Sequence, residues 1–189
     1  MAGKNRAFLS RVTASFAENE VRKSQRPCIF LSHISIDKQT AKAIGDYIME
    51  NGDIDIYLDI YDEKLQQAVN MGNSFMITQF IEKGLEQSTH IMCLVSKSTV
   101  QSWWVPYEVG FSKRAHKEIS TLALKDAEYL PEYLSIGTIL LGIKSLNEYL
   151  QKVANSKSLT GSHYHAIYAK LMSYTEWYHP LNKYLKLEK

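Results

Sequence analysis

The sequence predicts an α/β fold: a doubly wound, five-stranded parallel sheet with an extra helix at each end. Three observations carry that expectation. From Pro27 onward short apolar runs alternate with helical stretches, one of those runs is apolar throughout, and the 189 residues fit one core. Alternating strand and helix patterns favour a parallel sheet wrapped by helices, and a strand covered on both faces reads as a continuous apolar run. A single core usually holds about 100–200 residues, so two full catalytic domains are not expected.

Taken in order, residues 1–26 carry Lys4, Arg6, Arg11, Arg22, Lys23 and Arg26 against Glu18 and Glu20, with Phe8, Val12 and Phe16 four apart. That spacing predicts a basic amphipathic helix as an extension over 1–26, ahead of a domain over 27–155. Residues 28–31 form a compact apolar strand closed by Ser32 and His33. Residues 38–50 place Ala41, Ile44 and Ile48 at helical spacing, with a stop at Asn51 and Gly52. The alternation of apolar and acidic residues over 54–61 predicts a second strand with one wet face, followed by a polar loop over 63–73. Ser74 is the expected cap of a helix carrying Ile77, Phe80, Ile81 and Leu85, and residues 91–95 give the wholly apolar third strand. Residues 98–117 read as helical, 119–124 and 136–143 as the last two strands, and 146–153 as helix. The tail, 156–189, is expected to pack as a final helix, with Ile167, Leu171, Tyr174 and Tyr178 on one face up to Pro180.

Composition narrows the function. Twenty-two Lys and Arg against 20 Asp and Glu leave a formal charge of +2, too little for a general nucleic-acid or membrane footprint. No secretory h-region and no run long enough to span a bilayer are read, so a cytoplasmic protein is expected. Cys28 and Cys93, each inside an apolar run, suit buried free thiols rather than a disulfide framework. His163 and His165, two apart, fall on different helix faces and make a poor metal pair, and no metal site is expected.

In a doubly wound sheet the ligand crevice opens at the carboxyl ends of the strands, where the winding direction reverses. For the flavodoxin-like order that point lies between the first and third strands, whose ends here are Leu31-Ser-His-Ile34 and Val95-Ser-Lys-Ser98. Beside it begins Ser102-Trp-Trp-Val-Pro-Tyr-Glu108, with Ser98 or Ser102 as the expected cap. Trp104 and Glu108, four apart, share one helix face. An aromatic plane next to a carboxylate suits a ligand with a flat ring and a sugar. The same pattern also fits Trp103, Trp104 and Tyr107 packed on the sheet and Glu108 as a surface acid. Gly-x-Gly-x-x-Gly and Gly-x-x-x-x-Gly-Lys-[Ser/Thr] are both absent, which removes the main support for dehydrogenase and P-loop readings.

Four ordered segments over roughly 27–150 add a resemblance. Ile29-Phe-Leu-Ser-His33 with Asp37 beyond, Tyr57-Leu-Asp59, Leu94-Val-Ser96 followed by the Ser102 to Glu108 stretch, and Leu130-Pro-Glu-Tyr-Leu134 resemble the boxes of TIR (Toll/interleukin-1 receptor) domains. The loop over 63–73 lacks the Pro-Gly that many receptor and adaptor TIRs use for contacts with one another, and in its stand-alone length the chain looks more like the bacterial TIR proteins of anti-phage, Thoeris-like systems than like receptor TIRs. That resemblance implies an enzyme that cleaves the nicotinamide–ribose bond of NAD+, a hydrolase or cyclase making an ADP-ribose-derived signal, with NAD+ as substrate and no cofactor. It implies Glu108 as the catalytic carboxylate, and Phe30, Ser32, His33, Asp59 and Trp104 as substrate contacts. His33 as a structural cap and Asp59 as a solvated strand end remain open alternatives. Expected partners are other TIR subunits and a separate effector that senses the product. The competing functions are a non-enzymatic TIR adaptor or scaffold and a nucleoside deoxyribosyltransferase-like enzyme.

Overall fold

The computed structural model describes residues 2–11, 26–155, 161–173 and 178–188. Five strands form one sheet: β1 (Cys28–Ser32), β2 (Asp55–Tyr57), β3 (His90–Val95), β4 (Glu118–Ala123) and β5 (Thr138–Leu140). Their order is β2-β1-β3-β4-β5 and every pairing is parallel. The chain therefore winds outward from β1 to one edge and then, from β3, to the other. The expected fold class, α/β with a doubly wound parallel sheet, is the observed one.

Both faces are covered. Ile29 and Leu31 of β1, with Met92 and Leu94 of β3, pack against Ala41, Ile44 and Ile48 of α1 (Lys38–Gly52) and Leu146 and Leu150 of α5 (Ile143–Asn155), joined by Ile167 and Leu171 of α6 (Gly161–Leu171). The alternate residues, Phe30, Ile91, Cys93 and Val95, face Leu65 of α2 (Glu63–Asn70), Ile81 and Leu85 of α3 (Ser74–Glu86) and Val105 and Val109 of α4 (Trp104–Arg114). Each fully buried Ile, Leu or Val contributes about 1.5–3 kcal/mol, so the two apolar layers dominate stability. Cys28 and Cys93 are buried free thiols, and burial pushes the Cys28 thiol up to about 12.

Several expectations are corrected. The second strand is only three residues long and buried on both faces, because the Asp55 carboxylate is paired by Arg6 (Nε to Oδ2, 3.0 Å) from the N-terminal segment. Residues 59–61 turn into a short 3-10 helix. The supposed polar loop contains α2, started by Asp62, whose carboxylate accepts from the Lys64 and Leu65 amides at 3.0 and 3.2 Å. Gly72 (φ 63°) makes the tight link to α3, and the cap there is Asn73, not Ser74. The positive φ that ends α1 falls on Asp53 (52°), after Gly52; Asp is one of the few side chains that tolerates that region. β5 stops at Leu140 and Ile143 already belongs to α5.

The N-terminal part that is described, Arg6–Arg11, is a 3-10 helix; Val12 and Phe16 of the expected stripe lie outside the described residues. Just ahead of it Asn5 bridges Ile56 in parallel, so this segment lies along the outer edge of β2. At the other end α6 stops at Leu171, which leaves Tyr178 exposed rather than on the helix face; Tyr174 lies outside the described residues. The tail is nevertheless anchored. His179 Nδ1 accepts from the Leu181 amide, its Nε2–H faces the Tyr47 hydroxyl at 3.0 Å, and Tyr47 donates to Asn147 at 2.8 Å. No helix among the described residues is long and apolar enough to cross a membrane.

Candidate active site

A cleft of about 550 Å³ opens at the carboxyl ends of β1 and β3, within the range of about 300–1,000 Å³ usual for ligand sites. Its floor is polar, with His33, Asp59, Ser98, Ser102 and Glu108, while Leu65, Val69, Ile77 and Ile81 from α2 and α3 form an apolar wall. The position follows from the sheet order, because the chain leaves β1 and β3 in opposite winding directions and nothing crosses between them.

Glu108 reaches this cleft from the second turn of α4. Ser102 Oγ accepts from the Val105 amide at 3.2 Å and so caps the helix start, as one of the two expected serines; Pro106, which lacks an amide hydrogen, is harmless in the first turn. Glu108 is only 5% exposed, yet it makes no ion pair among the described residues. Its Oε2 accepts a 2.5 Å hydrogen bond from Ser32 Oγ at the end of β1. Burial pushes its carboxyl up to about 8; the Ser32 hydrogen bond works against this and the nearby Asp59 carboxylate adds to it. The alternative of a surface acid is excluded by that burial.

The other expected site residues divide. His33, Asp59 and Trp104 line the cleft with Glu108. Trp104 is 38% exposed, stands edge-on to Tyr107 with ring centroids 6.0 Å apart, and forms a wall rather than core. Trp103 is 90% exposed at the rim, so the sheet-packed alternative fails for it also. The Tyr107 hydroxyl reaches across to Glu82 of α3. Phe30 and Ser32 stand behind the cleft lining: Phe30 is buried in the core, stacked on Tyr57 at 5.5 Å, and the buried Ser32 hydroxyl donates to Glu108.

Asp59 has an unusual setting. Its side chain is 28% exposed as a whole, yet Oδ1 is buried without a hydrogen-bond partner among the described residues, 3.7 Å from His33 Nδ1. Burial pushes its carboxyl above the ordinary value, against the opposing pull of His33 and Lys38. Lys38, at the start of α1, also lines the cleft, as do Gln66 and Gln101. Sequence reasoning passed over these three. Lys38 could have been noticed as the cation that opens the helix after the first strand; Gln66 was hidden with α2 itself. Among the described residues no group of three or more His, Cys, Asp or Glu is arranged to hold a metal ion.

A buried carboxyl without an ion pair among the described residues, near an indole at the switch point of a 2-1-3-4-5 parallel sheet, makes this cleft the candidate site of a doubly wound α/β domain. The comparison with known families then places it: residues 29–150 match the TIR domain family, well over half of the chain, and the chain belongs to that family. A comparison with curated proteins returns no match.

Proposed function

We propose that this TIR domain cleaves the bond between nicotinamide and ribose in NAD+, with Glu108 as the catalytic carboxylate. The observation that carries the reading is the Glu108 carboxylate itself: buried, free of any cation among the described residues, and held by Ser32 at the wall of a cleft large enough for a nucleotide. Such a group has no structural task that an apolar residue would not perform better. Nicotinamide leaves as a neutral molecule, the electron pair of the broken C1′–N bond passing to the pyridinium nitrogen, so no general acid is required and one carboxylate suffices, unlike an ordinary glycoside. Ionised Glu108, buried at the cleft, stabilises the positive charge that spreads over the ribose as that bond breaks. Trp104 supplies a flat wall for a ring or the sugar.

The test is release of nicotinamide from NAD+ by the purified chain. Glu108→Gln is expected to lower turnover by about 100-fold or more, the usual loss when one preorganised electrostatic group is removed. Equal turnover in wild type and variant excludes the role. The finer reading is an ADP-ribose-derived product, sensed by a separate effector in anti-phage defence. Other TIR subunits are proposed as partners; the exposed apolar side chains of Ile36, Val69 and Trp103 at the cleft rim support a second subunit there. Light scattering with and without NAD+ checks that assembly, and mass spectrometry of the reaction identifies the product.

A further inference from the structure

His33 is fixed along one edge of its ring. Its Nδ1 lies 3.1 Å from the Leu31 carbonyl oxygen; a carbonyl only accepts, so Nδ1 carries the hydrogen and donates it. In the neutral ring that leaves Nε2 with a lone pair. The Asp59 Oδ1, 3.7 Å from Nδ1, is too far for a hydrogen bond, and it is the buried carboxylate oxygen that lacks a partner among the described residues. A buried oxygen left in that state is costly, and the cost falls when the ring beside it becomes a cation. The other charged groups around the pair are Asp37 in the turn after β1, Lys38 opening α1, Asp62 ahead of α2 and Glu108 from α4. His33, Asp59 and Glu108 line one cleft, and Ser32, the neighbour of His33, touches Glu108.

We propose that His33 takes the proton from an oxygen nucleophile, water or a ribose hydroxyl, that attacks the ribosyl carbon, and that Asp59 is the positioning residue stabilising the imidazolium so formed. The proposal rests on the NAD+-cleaving reading and names the acceptor class for the same site. As the C1′–N bond to nicotinamide breaks, its electron pair neutralises the pyridinium. The C1′–O bond forms, and the proton of the attacking O–H goes to His33 Nε2, from which solvent later removes it. The Leu31 carbonyl fixes the tautomer and Asp59 compensates the charge, the division of labour of an acid–histidine pair.

The chemistry supplies its own control. A pyridine nitrogen attacks C1′ with a lone pair and loses no proton, so exchange of isotopically labelled nicotinamide into NAD+ needs Glu108 but not His33. The full chain is assayed for hydrolysis or cyclisation and, in parallel, for exchange. His33→Gln is expected to lower the ratio of the oxygen-acceptor reaction to exchange by about 100-fold or more. Asp59→Asn is expected to move the ratio the same way, with His33 still present. Loss of both activities together in His33→Gln, or an unchanged ratio, overturns the proposal. Should the variants not fold, wild type decides: hydrolysis slowed in heavy water with exchange unaffected supports it, and no difference between the two overturns it. Failure of the underlying reading looks different, because wild type then gives neither nicotinamide release nor exchange, or Glu108→Gln retains both.

Discussion

Glu108 sets the pH behaviour of the site. Its carboxyl is pushed up to about 8, so near neutrality the free protein holds it mostly protonated, and the ionised form, which the proposed reaction uses, appears as pH rises. kcat/KM for nicotinamide exchange, which needs no other proton transfer, is expected to rise through a single ionisation near that value. A flat profile between pH 6 and 9, measured at roughly half-unit steps, contradicts the assignment. Ser32→Ala removes the hydrogen bond that favours the ionised form, so the midpoint should move upward and activity at neutral pH should fall roughly 10-fold or more, as expected for a bond to a charged group. Stability runs the opposite way. Because the folded-state value lies above the unfolded one, Glu108 is neutral at no cost below about pH 4.5 and destabilises the fold increasingly as pH rises toward 8. Glu108→Gln should therefore raise Tm at pH 8 by more than at pH 5, each kcal/mol recovered giving about 2–4 °C in a chain of this size.

Among the elements, α4 was readable because its information is local: Trp104 and Glu108 are one turn apart, Ser102 caps and Pro106 sits in the first turn. β1 and β3 were readable for the same reason, as continuous apolar runs. α2 was missed because its eight residues present mostly polar side chains; the available signal was Asp62 followed by Leu65 and Ala68 on one face. β2 was read as half wet because the partner of Asp55 is Arg6, 49 residues earlier, and no window along the chain contains both. The role of Ser32 and the pairing of His33 with Asp59 were hidden likewise, since the first joins β1 to α4, 76 residues apart, and the second joins segments that follow β1 and β2. The tail behaves as an element too. Its anchor, His179, is buried as the neutral ring and takes up a second ring proton only below about 4. Its contribution to stability is complete above the ordinary histidine value of 6.5 and is lost as pH falls toward 4, a loss on the order of 1–3 kcal/mol visible as a falling Tm. Tyr47→Phe removes the hydroxyl between His179 and Asn147 and should cost about 1–3 kcal/mol at neutral pH, measured by urea unfolding.

For the whole molecule, the core layers are joined by contacts between distant parts of the chain. Arg6 is held against Asp55 and also donates to the carbonyls of Gln87 and Arg26, tying the N-terminal segment to three places at once. Arg6→Met should lower stability by about 3 kcal/mol, because the Asp55 carboxylate left behind is buried and loses the cation held at 3.0 Å. The urea midpoint should shift with the slope unchanged; a changed slope would mean that the segment had detached and exposed the β2 edge. The hydrogen-bonded chain from His179 through Tyr47 to Asn147 has a temporal side as well. Tyr47 leaves the ribosome 132 residues before His179, an interval of roughly 7–26 s at about 5–20 residues per second. All of β2 to β5, residues 55–140, are made within that interval, so the sheet completes its pairing while its closing latch is still unsynthesised. The order of translation thus lets that fastening close only after every strand of the sheet has been made.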